Sequence, residues 1–324
     1  RMSILSNAEK LLLKKSSKVV VGLSGGADST LALVEIYEFL KAENLTEKLV
    51  ALHINHQLHE DSEHWEQHCA NLCAKLSVKF DVKKINSQKS GEGLEAAMRS
   101  ERLKIFNSYE KGTVIVQGHH ASDQVETLLF RLIRGTGIKG VSGIKRIRPA
   151  GAITFIRPLI KLTKKEVLEH LKLRKLQFIK DPSNEDNQFS RNYLRNVVIP
   201  HITRRWNTVE KNISRFTALA QKQNTLYEKM LKERLIDLVD GNALDLEKME
   251  PLPSFEKSEL IRMWLENLSM FLPNEKQMQE IEKSFFQSRH DANPVVKFRR
   301  DDIKEFSIVL SKQNKFLIAE KNYE

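Results

Sequence analysis

Four short runs rich in valine and isoleucine, KVVVGL (18–23), LVALHI (49–54), KFDVKKI (79–85) and TVIVQG (113–118), punctuate the first 130 residues. Between them, Ser29 to Lys41, Ser62 to Leu76 and Leu94 to Tyr109 carry apolar residues at three- and four-residue spacing. Runs of the first kind read as strands and spacing of the second kind as amphipathic helix. Alternation of the two leaves few folds open. The strands must lie parallel in one sheet, with helices covering both faces. The expected class is therefore α/β, a doubly wound, mostly parallel sheet. Ligands of such sheets bind beyond the carboxyl ends of the strands, so the residues that follow each run are the first candidates for function.

After Arg134 the pattern changes. RGTGIKGVSGIKRIRPAG places five glycines in 18 residues, which excludes a long helix or a core strand. ITFIRPLI reads as a further strand and leads to a helix from near Thr163, where TKKE fits a capping box. A polar loop, KDPSNEDNQFSRN, precedes a helical stretch over 205–240. Beyond it, Ser254 is expected to cap a helix carrying Leu260, Ile261 and Trp264, and strand-like runs fall near 295–298, 306–310 and 316–319. The expected division is 1–215 for the α/β domain and 216–324 for a helical connection with a smaller C-terminal α+β domain.

Charge separates the chain more sharply than hydropathy does. From Arg134 to Phe216, 19 Lys and Arg stand against 6 Asp and Glu, an excess of +13, whereas the remainder holds 34 basic and 36 acidic residues. Concentration of the excess in one segment suggests a polyanionic partner, most simply nucleic acid. No apolar run approaches the roughly 20 residues that would span a bilayer, so no membrane association is expected. The N-terminal RMSILSNAEKLLLKK reads as a first helix and not as a signal peptide. Two cysteines, Cys69 and Cys73, fit neither a zinc site nor a redox pair and are expected to be reduced core thiols.

The first strand runs into LSGGADST. Gly25 and Gly26 allow positive φ angles and close approach of the backbone. Exposed N–H groups at a helix start, with the Ser24, Ser29 and Thr30 hydroxyls, suit phosphate oxygens. The lysine of the common phosphate loop is missing, because Ala27 and Asp28 follow the glycines. An aspartate beside phosphates repels them unless a divalent cation intervenes, which makes Asp28 a candidate Mg²⁺ ligand.

This strand, S-G-G-x-D-S-T and helix resemble the PP-loop of the N-type ATP pyrophosphatases, which have an adenine-nucleotide alpha-hydrolase-like fold, release pyrophosphate and leave AMP on an oxygen of the substrate. Five further stretches are similar to the tRNA(Ile)-lysidine synthetases within that superfamily. HINHQLH matches H-x-N-H-G-L-R at His53, Asn55 and His56, with Gln57 for the glycine and His59 for the arginine. EAAMRSERLKIF matches E-A-x-A-R-x-x-R through Arg99 and Arg102, with Met98 for the second alanine. GHHASDQVET matches H-H-x-x-D-Q-x-E-T, with Ser122 where many relatives carry a second acid. RGTGIKGVSGI matches the glycine run. DPSNEDNQFSRNYLRNVVIP then matches a long element through Asp181, Ser183, Asn184, Arg191, Asn192, Arg195 and Pro200.

The resemblance implies ATP as substrate, Mg²⁺ held by Asp28 and Asp123, and a nucleotide site of Ser24, Gly25, Gly26, Ala27, Asp28, Ser29, His53, Asn55, Arg99 and His119. It implies catalytic duties for Asp28, His120, Asp123, Glu126, Arg191 and Arg195, with Glu126 or His120 accepting a proton from an amine. It further implies a tRNA(Ile) with a CAU anticodon and free L-lysine as partners, in the cytoplasm; a homodimer stays open. Lys139, Lys145, Arg146, Arg148, Arg191, Arg195, Arg204 and Arg205, from the basic segment, are the expected tRNA contacts. Two other readings stand beside this one: a PP-loop tRNA thiolase, and a non-catalytic nucleotide- or RNA-binding relative.

Overall fold

The computed structural model describes residues 3–57, 60–85, 92–287, 293–300 and 303–323; His59 lies outside them. The chain divides into two compact units, Arg1–Lys222 and Gln223–Glu324. The first runs α1 (Asn7–Lys15), β1 (Lys18–Gly22), α2 (Ala27–Ala42), β2 (Leu49–Asn55), α3 (Ser62–Leu76), β3 (Lys79–Lys84), α4 (Glu92–Asn107), β4 (Thr113–Val116), α5 (Ala121–Ile133), α6 (Ile138–Val141), β5 (Ile147–Ala150), β6 (Ile153–Ile156) and α7 (Lys164–Leu173). Two short elements, α8 (Ser190–Tyr193) and α9 (Ile199–Arg205), flank a π-helical turn at Leu194–Val198. The division between the units falls inside the long α10 (Val209–Ile236).

Strand order in the first unit is β3-β2-β1-β4-β6-β5. All pairs are parallel except β5 with β6. Alternate residues of a strand point to opposite faces, and β1 supplies both. Val19 and Val21 enter one apolar cluster with Leu31, Leu33, Ile36, Leu40, Cys69 and Cys73, while Val20 enters another with Val50, Leu52, Phe106, Ile115 and Phe155. Burial on both faces is why β1 reads as an unbroken apolar run. The chain goes from β1 to β2 on one side and returns to β4 on the other, so the gap beyond the ends of β1 and β4 is the switch point of the sheet.

The second unit holds β7 (Val239–Asp240), β8 (Ala243–Asp245), α11 (Leu246–Met249), α12 (Ser254–Asn267), α13 (Glu275–Phe286), β9 (Val295–Arg300), β10 (Ile303–Gln313) and β11 (Phe316–Tyr323). Its strands are antiparallel in the order β7-β8-β11-β10-β9. Trp264, Leu260 and Ile261 of α12 are buried against it with Leu310 and Leu317. Ser254 is the first residue of α12 and not its cap. Pro253 takes the cap position in an extended conformation, so the serine stands one residue too far into the helix to bond the exposed N–H groups.

Gln57 adopts φ +52°, the left-handed region, in the turn after β2. A glycine suits that geometry, whereas a side chain there costs about 1–2 kcal/mol. Gln57→Gly is therefore expected to stabilise the unit by up to about 1 kcal/mol once the greater unfolded-state entropy of glycine is offset. An upward shift of the urea midpoint at constant m-value checks this; an unchanged midpoint would show that the turn is not strained.

Candidate active site at the switch point of the sheet

Leu23 to Gly26 join β1 to α2. Gly25 takes φ +85°. A Cβ on it would stand 2.7 Å from Ile179 Cδ1 and 3.2 Å from Cys69 Sγ, so shape and conformation both demand glycine. The Ile179 N–H donates to the Gly25 carbonyl at 2.9 Å, and Gly26 forms a parallel bridge with Ile179. The Ser24 and Ser29 hydroxyls lie 3.0 Å apart, and Ser29 Oγ accepts the Ser24 N–H at 3.1 Å while donating to the Gly26 carbonyl. The first helical bond of α2 runs from the Thr30 N–H to Gly26, so the N–H groups of Ala27, Asp28 and Ser29 precede it and have no acceptor within the helix. Together with the dipole of α2 they form an anion site.

His53 is buried beneath this loop, its Nδ1–H donating to the Leu23 carbonyl at 2.8 Å. It shapes the loop from below. Asn55, expected among the nucleotide contacts, is instead engaged by its own turn. Its side chain accepts the Gln57 N–H and donates to Glu66, at 2.9 and 3.0 Å.

The second wall comes from the end of β4. A Cβ on Gly118 would meet the Asp28 carbonyl carbon and oxygen at 2.8 Å and the Ser29 nitrogen at 2.9 Å, so backbone touches backbone there. His120 follows, with Nε2 3.6 Å from Asp28 Oδ1 and 3.6 Å from Asp123 Oδ2. Asp123 accepts the His120 N–H at 2.8 Å. Burial works to raise its carboxyl, but His120, His119 and that backbone donor together bring it below the usual range. His119 Nδ1 accepts from Arg157 Nε at 3.3 Å, which places the proton of the neutral ring on Nε2. Burial, with Arg157 and other cations assisting, lowers its pKa to about 4.

Arg157 had no assigned role in the sequence. Only 7% exposed, its guanidinium also donates to the Lys145 carbonyl and to Gln117 Oε1, both at 2.7 Å. Burial lowers its pKa to about 10, so it stays charged at neutral pH. Lys164 was likewise overlooked. Its Nζ lies 2.8 Å from both carboxylate oxygens of Asp28.

The third wall joins α5 to the polar element. Glu126, 2% exposed, accepts from Arg195 Nε and Nη2 at 3.0 and 2.6 Å and lies 3.6 Å from Arg191. Burial raises its carboxyl against the pull of both arginines. Glu126 thus faces two guanidinium groups already. Arg195 also reaches Asn184, and Arg191 stacks over the Phe130 ring, 5.3 Å from its centroid. Ser122, standing where an acid was expected from the resemblance, donates to Glu210 of α10 at 2.8 Å, so a carboxylate reaches the place from another element.

The remaining basic residues scatter. Lys139, Arg148, Arg204 and Arg205 are exposed, Arg148 over the Phe155 ring and Arg205 over Trp206. Lys145 is half-buried, its carbonyl held by Arg157. Arg146, expected on the tRNA surface, is instead paired at 2.6 Å with the fully buried Glu9 of α1 and donates to the Ile4 carbonyl, a structural clamp. Arg99 is an exposed residue of α4.

Asp28 and Asp123 offer hard oxygen donors, the chemistry Mg²⁺ selects. Among the described residues no three His, Cys, Asp or Glu side chains are placed to hold a metal ion together. Two carboxylates alone would leave most of the shell of such an ion to water and phosphates.

A glycine loop on a helix start at the switch point, walled by acids and histidines from the neighbouring strand, defines a PP-loop nucleotide-binding domain. The PP-loop domain family matches residues 2–202, and the TilS substrate binding domain matches residues 244–306. The chain is 33% identical over 298 residues to the tRNA(Ile)-lysidine synthase of Legionella pneumophila strain Lens, covering 91% of this chain and 68% of that one. It is 30% identical over 295 residues to that of Histophilus somni strain 129Pt, covering 90% and 68%. The U34-tRNA thiolase NcsA of Methanococcus maripaludis shares the fold, with a TM-score of 0.52 at 18% identity over 67% of this chain and 76% of that one. This chain belongs to the tRNA(Ile)-lysidine synthase family.

Proposed function

We propose that the protein joins L-lysine to C2 of the wobble cytidine of the minor tRNA(Ile) with a CAU anticodon, using ATP and releasing pyrophosphate and AMP. The cytosine O2 attacks the α-phosphate, the bond to the β-phosphate breaks, and pyrophosphate departs. The ε-amine of lysine then forms a bond to C2 as AMP leaves, with loss of a proton from the amine. The observation that carries this reading is the fastening of the 181–200 element to the catalytic helix through Arg195 and Glu126, next to a loop shaped for a departing pyrophosphate.

The chain's groups divide the work. N–H groups of Gly26 to Ser29 and the Ser24 and Ser29 hydroxyls surround the leaving phosphates. Glu126 orients Arg195 and Arg191 toward the α-phosphate and the anticodon backbone, where planar guanidinium groups bind oxyanions in two-point fashion. A bound Mg²⁺, held by Asp28 and Asp123, would neutralise charge that gathers during in-line displacement. A free lysine amine, with pKa about 10.4, needs roughly 4 kcal/mol of desolvation and proton removal to be neutral near pH 7.4. His120 is better placed than Glu126 to take that proton, since Glu126 is already held by two cations while Asp28 and Asp123 flank the His120 ring.

The thiolase reading is disfavoured by the thiols. Cys69 and Cys73 are buried in the core and pushed up to about 12, chiefly by burial, whereas sulfur transfer needs an accessible thiolate. Nor is any described helix long and apolar enough to cross a membrane. Mass spectrometry of the tRNA after incubation with ATP, Mg²⁺ and labelled lysine tests the proposal. The wobble cytidine is expected to gain one lysyl group, with AMP and pyrophosphate in equal amounts. Sulfur incorporation, or ADP with orthophosphate, would refute it.

A further inference from the structure

The first turn of α7 carries Lys164 and Lys165, although backbone N–H groups at a helix start disfavour cations. The turn itself is firm. Thr163 and Glu166 form a reciprocal capping box, and the Leu162 carbonyl accepts the Ala121 N–H at 2.7 Å, tying the turn to the start of α5. Lys165 points away, 86% exposed and near Glu169. Lys164 reaches across 136 residues of sequence to both oxygens of Asp28. Asp28 is the second helical residue after the Gly26 cap, so Nζ stands beside the place where oxyanions meet the N–H groups of α2. The pair is also open to water, with side-chain exposures of 44% and 30%, and an ion pair so exposed is held weakly.

We propose that Lys164 is the phosphate-binding lysine of this loop, supplied from α7 in place of the one absent after Gly26. Without nucleotide it neutralises Asp28. When ATP enters, the ammonium moves from the carboxylate to the oxygens of the pyrophosphate moiety, and Asp28 becomes free for a divalent cation. No bond is made or broken; one counter-ion is exchanged for another. This rests on the PP-loop reading of the site and is independent of which RNA or amine is used.

Two binding measurements on the full chain test it: inorganic pyrophosphate by calorimetry in the presence of Mg²⁺, and Mn²⁺ alone by electron paramagnetic resonance. Lys164→Met is expected to weaken pyrophosphate about tenfold, the loss of one charge-assisted contact, and to tighten Mn²⁺ binding because Asp28 is released. Lys164→Arg, which keeps the charge, should retain most of the pyrophosphate affinity. Unfolding midpoints of both variants should match that of the parent. Pyrophosphate affinity unchanged in Lys164→Met, or Mn²⁺ affinity unchanged, overturns the exchange. A parent chain that binds no pyrophosphate overturns the PP-loop reading itself, and the exchange with it.

Discussion

Gly118→Ala is expected to reduce adenylation of the tRNA by at least about 100-fold, the size of loss that a misplacement of roughly 1 Å produces at a reacting centre. The new methyl group would lie 2.8 Å from the Asp28 carbonyl and 2.9 Å from the Ser29 nitrogen. Neither atom belongs to a side chain that can rotate away. The first turn of α2 must shift, taking Asp28 and the Ser29 hydroxyl with it, at a further cost of about 1–3 kcal/mol for overpacking. Pyrophosphate release measured with saturating ATP and tRNA, beside a urea unfolding curve, reads both effects. Activity near that of the parent would mean that the segment after β4 and the first turn of α2 are not in backbone contact.

Arg157→Met is expected to cost about 3 kcal/mol of stability, because a buried guanidinium loses three partners and leaves the Lys145 carbonyl and the Gln117 amide oxygen unpaired. Methionine fills the space of the stem, so the loss reports the polar contacts and not a void. The same variant changes the response to acid. His119 has a folded pKa of about 4 against an ordinary 6.5, so between those values the unfolded chain binds a proton that the folded chain refuses. Stability therefore falls as pH drops from 6.5 toward 4. Burial is the main cause and Arg157 a lesser one. Removing the arginine should raise the His119 pKa part of the way back and flatten that slope. Histidine ring signals followed by NMR without added Mg²⁺, with urea midpoints at pH 7 and pH 5, check both parts. An unmoved His119 titration would show that Arg157 does not set its charge.

The sheet and its helices were legible because β1 is buried on both faces and α2 through α5 keep the helical period. The loop from Ser24 to Ser29 was legible because its chemistry is local: glycine, hydroxyl and acid all act within one turn. What escaped was every contact made across the chain. Lys164 and Asp28 are 136 positions apart, Arg146 and Glu9 are 137, and Arg157 and Gln117 are 40; no spacing rule links such pairs. Arg146 looked like an RNA contact because a basic segment shows its charge but not its partners. Asn55 looked like a nucleotide contact because the turn that engages it forms only after β2 ends. Gly118 did leave a trace, since glycine at the end of a β-branched run often marks two backbones in contact.

The bridge between Gly26 and Ile179 bears on the energetics of turnover. Together with the Leu23 N–H on Leu52, the His53 ring on the Leu23 carbonyl and the Ser29 hydroxyl that accepts the Ser24 N–H, it fixes the mouth of this loop before any guest arrives. The entropy of arranging that mouth is lost once, while the polypeptide folds, and need not be lost again in each catalytic cycle.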